Sequence, residues 1–171
     1  MNTTEDKKTC IPLFLIYYGS IFMDPIEISL NGSMSRNKHF YPLIVQYEDT
    51  DAGGVVYHSN YLNYAERGRS AFLRHIGIDL YSYLKNERKT ILISRIEVDY
   101  MTSARLNQYI KVETSVINIG KVKLNLEQII RNQVDGHIFA RLQVQAVWVE
   151  LDKGVRRLPK FLLEKLKKIG V

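Results

Sequence analysis

Five stretches of the chain carry the hydrophobic pattern of β-strands: residues 41–48, 92–100, 109–116, 124–131 and 137–151. Along most of them apolar and polar side chains alternate with a period of two, which is typical of a strand with one buried face. The dipeptide Asp135-Gly136 separates the last two stretches and predicts a hairpin turn. The pattern therefore predicts a sheet of about five strands, most of them consecutive along the chain.

Three other stretches have helical spacing. Residues 60–76 place apolar side chains three and four positions apart, which predicts a long amphipathic helix. Gly77 follows as a stop signal. A shorter helix is predicted over residues 80–86, and a closing helix over residues 158–169, with Pro159 in its first turn. One strand, a long helix and then consecutive strands predict an α+β domain whose helix packs on one antiparallel sheet.

Composition narrows the class of protein. The chain has 171 residues, 46% of them apolar and 25% charged, as in an ordinary soluble domain. Its one cysteine, Cys10, excludes an internal disulfide framework and a cysteine-built zinc site. Residues 150–171 hold seven basic and three acidic side chains, a local net charge of +4. We interpret this as a solvated terminal helix, with a phosphate-binding patch as the alternative. No nucleic-acid-binding module is recognisable.

The N-terminal residues differ from the rest of the chain. Residues 11–23 are mostly apolar, but the run is shorter than the roughly 20 residues of a membrane span. Pro12 and Gly19 interrupt it, and no clean signal-peptide cleavage site follows. We expect residues 1–38 to be an N-terminal extension outside the fold and residues 39–171 to form the domain. A membrane-directing segment is the alternative.

The most informative stretch is residues 47–61, which reads YEDTDAGGVVYHSNY. Asp49 and Asp51 leave the first predicted strand, and the small residues that follow allow a sharp turn. A helix-cap signal then begins the long helix at Ser59 and Asn60. A carboxylate beside backbone N–H groups at a helix entrance suits chemistry on a carbonyl group.

This stretch, together with Tyr61 to Arg69 after it, resembles the signature of the YbgC-like acyl-CoA thioesterases, members of the hotdog-fold 4-hydroxybenzoyl-CoA thioesterase family. The similarity extends from about residue 41 to about residue 159. It implies a hotdog fold, in which the sheet wraps around the long helix. It also implies hydrolysis of acyl-CoA, an assembly of two or four copies, no cofactor and no metal.

The family's catalytic aspartate corresponds to Asp51. Such a carboxylate either activates water or attacks the thioester carbon, and the sequence leaves both open. Asp49 is expected to support the loop, while Tyr57 and His58 are expected to line the site. The backbone N–H groups from Gly54 through Val55 and Val56 to Tyr57 are candidate donors to the thioester oxygen. Glu66 is the second candidate carboxylate, because another hotdog branch places its acid on the long helix.

Residues that bind CoA are not assigned by the sequence. Four basic residues lie near predicted strand ends: Arg95, Arg105, Lys121 and Lys123. The resemblance further implies a cytoplasmic protein of lipid metabolism, with association with the cell-envelope Tol–Pal system and a location at the periphery of the inner membrane as finer expectations.

Other functions fit less well. An aspartate phosphatase needs parallel strands and helices after its first aspartate, and this chain predicts neither. A calcium loop starting at Asp49 would need a glutamate where Asn60 stands. A hotdog hydratase places its histidine differently. The surviving alternative to an enzyme is a non-catalytic acyl-binding or envelope-associated scaffold protein of the same fold.

Overall fold

The computed structural model describes residues 30–170. Its strands are β1 (Ser33–Ser35), β2 (Lys38–Ile44), β3 (Lys89–Tyr100), β4 (Tyr109–Ile119), β5 (Lys123–Asn132), β6 (Ile138–Glu150) and β7 (Gly154–Val155). Its α-helices are α1 (Asn60–His75), α2 (Leu80–Glu87) and α3 (Lys160–Lys168), and a 3₁₀ turn covers Tyr47–Asp49.

All strands belong to one antiparallel sheet in the order β1-β2-β4-β5-β6-β3, with the short β7 beside β6. Five of them are long, and the α+β prediction with a long helix on an antiparallel sheet is confirmed. Strand β3 ends the order and pairs only with β6 among the described strands. Its other edge therefore carries backbone groups that β6 does not use.

Helix α1 packs against β2, β4 and β5. Tyr64, Ala65 and Phe72 on its inner face are at most 2% exposed. Gly68 faces the sheet so closely that a Cβ atom there would lie 2.6 Å from a methyl carbon of Val112. A glycine is therefore required at this point for helix and sheet to meet. Strand β6 adds its predicted apolar row to the same core. The buried residues of this row are Ala140, Leu142, Val144, Ala146 and Trp148.

The first strand lies three to four residues earlier than predicted, at Lys38–Ile44 instead of residues 41–48. Strand β2 stops at Ile44, and the chain enters the 3₁₀ turn, where Tyr47 is 83% exposed although the nearby Val45 is fully buried. The cause is local: the carboxylate of Asp49 accepts a hydrogen bond from the Gln46 N–H at 2.8 Å. This side-chain contact offers the backbone an alternative to the strand ladder.

The predicted end of α1 is confirmed, but two helix starts differ from the prediction: the Ser59 side chain makes no capping hydrogen bond, and Pro159 precedes α3 as its N-cap residue. Gly77 has φ of +72°, and its N–H donates to the carbonyl of Arg74, which ends α1 in the left-handed conformation that suits glycine. The side chain of Asp79 accepts from the N–H groups of Tyr81 and Ser82 and so caps α2. Lys165 of α3 donates to the carbonyl of Ile76, the C-cap residue of α1, at 3.0 Å.

Part of the N-terminal segment contacts the domain. Strand β1 pairs with β2, and the carbonyl of Asn31 lies 2.6 Å from Nε2 of the buried His39. The Asn31 side chain also accepts from Arg74 at the end of α1. The apolar run of residues 11–23 lies outside the described residues, so its predicted separation from the fold stays a prediction. Within residues 30–170, no helix has the length and apolar character needed to cross a membrane.

Candidate active site

The loop between the 3₁₀ turn and α1 is a tight hairpin. Thr50 and Val56 form an isolated antiparallel bridge across it. Inside this bridge the Asp51 N–H donates to the Val55 carbonyl at 2.9 Å, and the Gly54 N–H donates back to the Asp51 carbonyl at 3.0 Å. Gly54 has φ of +72°, a conformation that other residues adopt only at a cost. The loop therefore has a defined geometry with Asp51 at its base.

The side chain of Asp51 is exposed in the single chain. Its Oδ1 accepts a hydrogen bond from the Gly53 N–H at 2.8 Å. No other hydrogen bond to this carboxylate is made within residues 30–170, so one face of it is open. This is the local turn contact expected of an aspartate in a loop, and it also fixes the direction of the carboxylate. A fixed, open carboxylate is available to a water molecule or to an electrophilic carbon.

Asp49, unlike Asp51, is buried, and only 4% of its surface is exposed. Its carboxylate holds the Gln46 N–H, and its carbonyl accepts from the Tyr57 N–H and the Asn60 side chain, both at 2.9 Å. Burial, with the Asp49 carboxylate beside it, raises the pKa of the Tyr64 hydroxyl well above its ordinary value of 10. Asp49 thus joins the 3₁₀ turn, the loop and the start of α1, as expected of a supporting residue.

The backbone N–H groups of the loop are only partly free. Those of Gly54, Val56 and Tyr57 already donate to the carbonyls of Asp51, Ala104 and Asp49. Three of the four residues proposed from sequence are therefore engaged, and the N–H of the fourth, Val55, has no acceptor within residues 30–170. In the part of the chain that the structure describes, the N–H groups of His58 and Ser59 have no acceptor. They stand at the N-terminal end of α1, where the helix dipole also favours negative charge.

A groove of about 210 Å³ is lined by His58, one of the two residues with a free N–H group. Its walls come from the loop, α1, the end of β3 and the segment that follows: Val56, His58, Tyr61, Tyr100, Met101, Thr102 and Ser103. The Tyr100 hydroxyl donates to the His58 carbonyl at 3.0 Å, and the Tyr61 hydroxyl accepts from the Ala104 N–H at 2.9 Å. Burial raises the pKa of Tyr61, so this hydroxyl stays neutral. The contact from Tyr100 fixes the position of the His58 backbone, and the contact with Tyr61 fixes the segment at Ala104.

Glu66 lies apart from the loop in the same chain. It follows the N-terminal end of α1 by about two helical turns, or roughly 10 Å. Its carboxylate is paired with Arg69 at 2.6 Å and accepts from the Ser70 hydroxyl at 3.0 Å. The structure therefore does not bring Glu66 and Asp51 of one chain together. Glu66 is held instead in an ion pair on a different part of the helix.

The four basic candidates for CoA are placed very differently. The Arg105 backbone forms an isolated bridge with Val55, so its exposed side chain emerges beside the loop. Arg95 is paired with Glu97 in the middle of β3. Lys121 and Lys123 lie at the β4–β5 turn, at the far end of the eleven-residue strand β4. Only Arg105 is therefore close to the Asp51 loop.

Sequence reasoning missed the buried Arg69, which is 5% exposed. A signal for it exists, because Ala65, Arg69 and Leu73 are spaced by four residues along the apolar side of α1. The exposed Arg67 lies two positions earlier on the other side. A positive charge within the apolar stripe needs buried polar partners, which the pattern alone does not identify.

No group of three or more His, Cys, Asp or Glu side chains within residues 30–170 is placed to hold a metal ion.

Comparison with known proteins identifies the family. The sequence profile of the thioesterase-like superfamily matches residues 45–166 of this chain. The acyl-CoA thioesterase YbgC of Haemophilus influenzae is 33% identical over 70% of this chain and 87% of its own length. The acyl-CoA thioester hydrolase YbgC of Escherichia coli is 34% identical over 74% of this chain and 94% of its own length.

Solved structures agree on the fold. A 1,4-dihydroxy-2-naphthoyl-CoA thioesterase from Synechocystis superposes with a TM-score of 0.72 at 18% identity, over 76% of this chain and 96% of its own. A DHNA-CoA thioesterase from Staphylococcus aureus superposes with a TM-score of 0.70 at 20% identity, over 77% of this chain and 90% of its own. The chain belongs to the thioesterase-like superfamily, and the predicted YbgC-like resemblance and hotdog fold are confirmed.

Proposed function

We propose that this protein hydrolyses acyl-CoA thioesters, with Asp51 as the general base or the nucleophile. The observation that carries the proposal is the pairing of two features at one end of α1. One is the exposed carboxylate of Asp51, fixed by the Gly53 N–H. The other is the free N–H pair of His58 and Ser59. Hydrolysis of a thioester needs both a base or nucleophile and donors for the oxygen that becomes negative.

The helix entrance supplies the second requirement. As the thioester carbon is attacked, its oxygen gains negative charge, and fixed N–H donors stabilise that charge without reorganising. The N–H groups of His58 and Ser59 are held by the helix and by the Tyr100 contact with the His58 carbonyl. We assign the oxyanion donors to these two residues, which follow the range suggested from sequence, Gly54 to Tyr57, by one and two positions.

The binding of CoA follows from position. Its phosphates are negative and favour a basic side chain near the site. Arg105 is exposed and its backbone bridges Val55 of the loop. We therefore assign Arg105 a contact with a CoA phosphate, while Lys121 and Lys123 lie too far along β4.

The free edge of β3 supports assembly into at least a homodimer. Leu92, Ile93 and Tyr100 on this strand are 38–49% exposed, and an open edge strand is a site for pairing. Antiparallel pairing of two copies of β3 about a two-fold axis places Tyr100 of one strand beside the Ile91 end of the other. In such a dimer the Asp51 loop of one subunit approaches the α1–β3 region of its partner subunit. A tetramer of two such dimers, a cytoplasmic location, a role in lipid metabolism and a Tol–Pal association stay predictions.

Free thiol released from a panel of acyl-CoA substrates tests the function. We expect turnover by the purified full-length chain without added metal or cofactor. The alternative, an acyl-binding scaffold of the same fold, predicts saturable acyl-CoA binding with no thiol release. Binding without turnover across acyl chains of two to sixteen carbons would therefore replace the enzyme proposal with the scaffold.

A further inference from the structure

The two free N–H groups at the start of α1 belong to consecutive peptide units. One unit joins the Tyr57 carbonyl to the His58 N–H, and the next joins the His58 carbonyl to the Ser59 N–H. The Tyr57 carbonyl accepts from the Asn60 N–H at 2.9 Å. The His58 carbonyl accepts from the Tyr100 hydroxyl at 3.0 Å. The first contact is made by the backbone, whereas the second is made by a side chain and can be removed by mutation.

Tyr100 is the last residue of β3, and its ring lines the same groove as His58. The ring makes edge contacts with Tyr61 and His58, at centroid distances of 5.7 and 6.4 Å and interplanar angles of 69° and 87°. Tilted aromatic pairs of this kind are favourable, so they hold the direction of the ring. The hydroxyl makes no other hydrogen bond within residues 30–170, and its one proton is therefore committed to the His58 carbonyl.

The peptide bond between His58 and Ser59 is trans, as are all peptide bonds of the described residues. The C=O and N–H groups of a trans peptide point in opposite directions. The Tyr100 hydroxyl therefore lies at the carbonyl end of this unit, and the Ser59 N–H points away from it. A hydrogen bond to the carbonyl draws electron density toward the oxygen and makes the N–H at the other end a stronger donor, because successive hydrogen bonds polarise one another.

We infer that Tyr100 is a positioning residue for the oxyanion donors, and that its hydroxyl polarises the peptide between His58 and Ser59 so that the Ser59 N–H binds the developing negative charge more strongly. The inference rests on the proposed function, in which this N–H receives the thioester oxygen. That oxygen carries most charge in the transition state, so the effect falls on kcat and not on KM. Only the neutral hydroxyl can donate, and a phenolate would face the carbonyl oxygen with like charge.

Tyr100→Phe removes the hydroxyl and keeps the ring, on a side chain that is 47% exposed. We expect kcat for acyl-CoA to fall about three- to tenfold, less than the roughly 10²- to 10³-fold loss on removing an oxyanion donor itself. KM, the mass in solution and the thermal midpoint should stay at their wild-type values. Tyr81→Phe is the matched control, because Tyr81 is 70% exposed on α2 and should leave kcat unchanged.

The outcomes separate this inference from the proposed function. A wild-type kcat in Tyr100→Phe would overturn the inference, and so would a raised KM with unchanged kcat, which would place the hydroxyl on the substrate. The Ser59 amide gives a readout without turnover: its nitrogen and proton resonances should move upfield in Tyr100→Phe and stay in place in Tyr81→Phe. An unmoved Ser59 amide would show that the peptide is not polarised. No thiol release by the wild type would instead refute the proposed function, and the role of Tyr100 with it.

A fluorinated side chain at position 100 separates hydrogen bonding from shape. The hydroxyl of 3,5-difluorotyrosine is a stronger acid than that of tyrosine, so it loses its proton at lower pH. We expect the ratio of kcat between the fluorinated and wild-type proteins to be about one or higher near pH 6, and to fall to the Tyr100→Phe value by about pH 9. Asp51 and the facing rings of His58 and Tyr61 are the same in both proteins, so their ionisation cancels in the ratio. A ratio that does not change with pH would overturn the inference.

Discussion

The backbone N–H of Gly53 donates to Oδ1 of Asp51 at 2.8 Å, across only two residues of chain. The contact uses one oxygen of the carboxylate and leaves the other without a partner within residues 30–170. It orients the group that we propose reacts, and it depends on the small residue that follows. Two substitutions test this contact separately. One removes the charge of Asp51, and the other adds a methyl group at position 53, beside the Asp51 carboxylate.

Removing the charge tests the role of Asp51. Asp51→Asn keeps an oxygen that accepts from the Gly53 N–H, so the loop should keep its shape. Loss of a general base typically costs roughly 10²- to 10⁴-fold in rate, or about 3–5 kcal/mol of transition-state stabilisation. We expect kcat for acyl-CoA to fall by at least about 100-fold with little change in substrate binding. A variant that hydrolyses at the wild-type rate would end this mechanism, and Glu66 would become the next carboxylate to test.

Asp49→Asn is the matched control for that change, two positions earlier in the loop. Asp49→Asn keeps an acceptor for the Gln46 N–H, but it replaces a charge-assisted hydrogen bond by a weaker one and places an amide NH2 group at a buried position, so the effect should appear first in stability. We expect a lower thermal midpoint by several degrees and a smaller loss of kcat than for Asp51→Asn. Circular dichroism and thiol release on the same preparations separate the two effects.

Adding a methyl group tests the space around Asp51. A Cβ atom at position 53 would lie 3.0 Å from Asp51 Oδ1, so in Gly53→Ala the carboxylate must move by a few tenths of an ångström. A small displacement of a catalytic group is costly, and we expect kcat to fall about tenfold. Gly120→Ala is the control, because a Cβ there meets its nearest atom at an ordinary 3.5 Å in the distant β4–β5 turn. Equal kcat in the two variants would contradict this account.

The limits of sequence reasoning are visible at particular residues. Periodicity predicted α1 and the strands because apolar spacing is a local property of the chain. It extended the first strand too far because the hydrogen bond from Gln46 to the Asp49 carboxylate is a side-chain contact that periodicity does not report. It also named loop N–H groups that turn out to serve carbonyls such as that of Ala104, about fifty residues away. Which donors stay free depends on such distant pairing, so His58 and Ser59 required the structure.

The free edge of β3 predicts a change of mass on mutation. Leu92 is 49% exposed on this strand, and a charge there should oppose edge-to-edge pairing. We expect light scattering to give at least twice 19.9 kDa for the wild type and about 19.9 kDa for Leu92→Asp, with activity lost alongside the dimer. Val134→Asp, at a side chain that is 85% exposed in the β5–β6 turn, should leave mass and activity unchanged. A wild-type monomer at micromolar concentration would exclude an active site that forms between two subunits.

Two truncations test where the N-terminal extension ends. Deleting residues 1–29 retains the two hydrogen bonds of Asn31, with His39 and with Arg74, whereas deleting residues 1–33 removes both. A buried histidine nitrogen that loses its partner costs about 1–3 kcal/mol. We therefore expect the longer deletion to unfold at lower urea concentration than the shorter one. Equal midpoints would show that Asn31 adds nothing to stability, and loss of folding in the shorter deletion would show that residues 1–29 belong to the domain.

His39 should make stability depend on pH in a specific window. Burial lowers its pKa from 6.5 to about 4; His75 and Arg74 beside it add to this, and the Asn31 carbonyl opposes it. The unfolded chain therefore binds a proton at this position below about pH 6.5, while the folded chain does so only near pH 4. The contribution of His39 to the free energy of unfolding is fully present above about pH 6.5 and is lost as the pH falls toward 4. It amounts to at most about 3 kcal/mol. Urea unfolding from pH 7.5 to 4 should show a steeper loss for the wild type than for His39→Gln, which keeps a donor for Asn31 but does not titrate. Parallel pH profiles for the two proteins would show that His39 is not the group responsible.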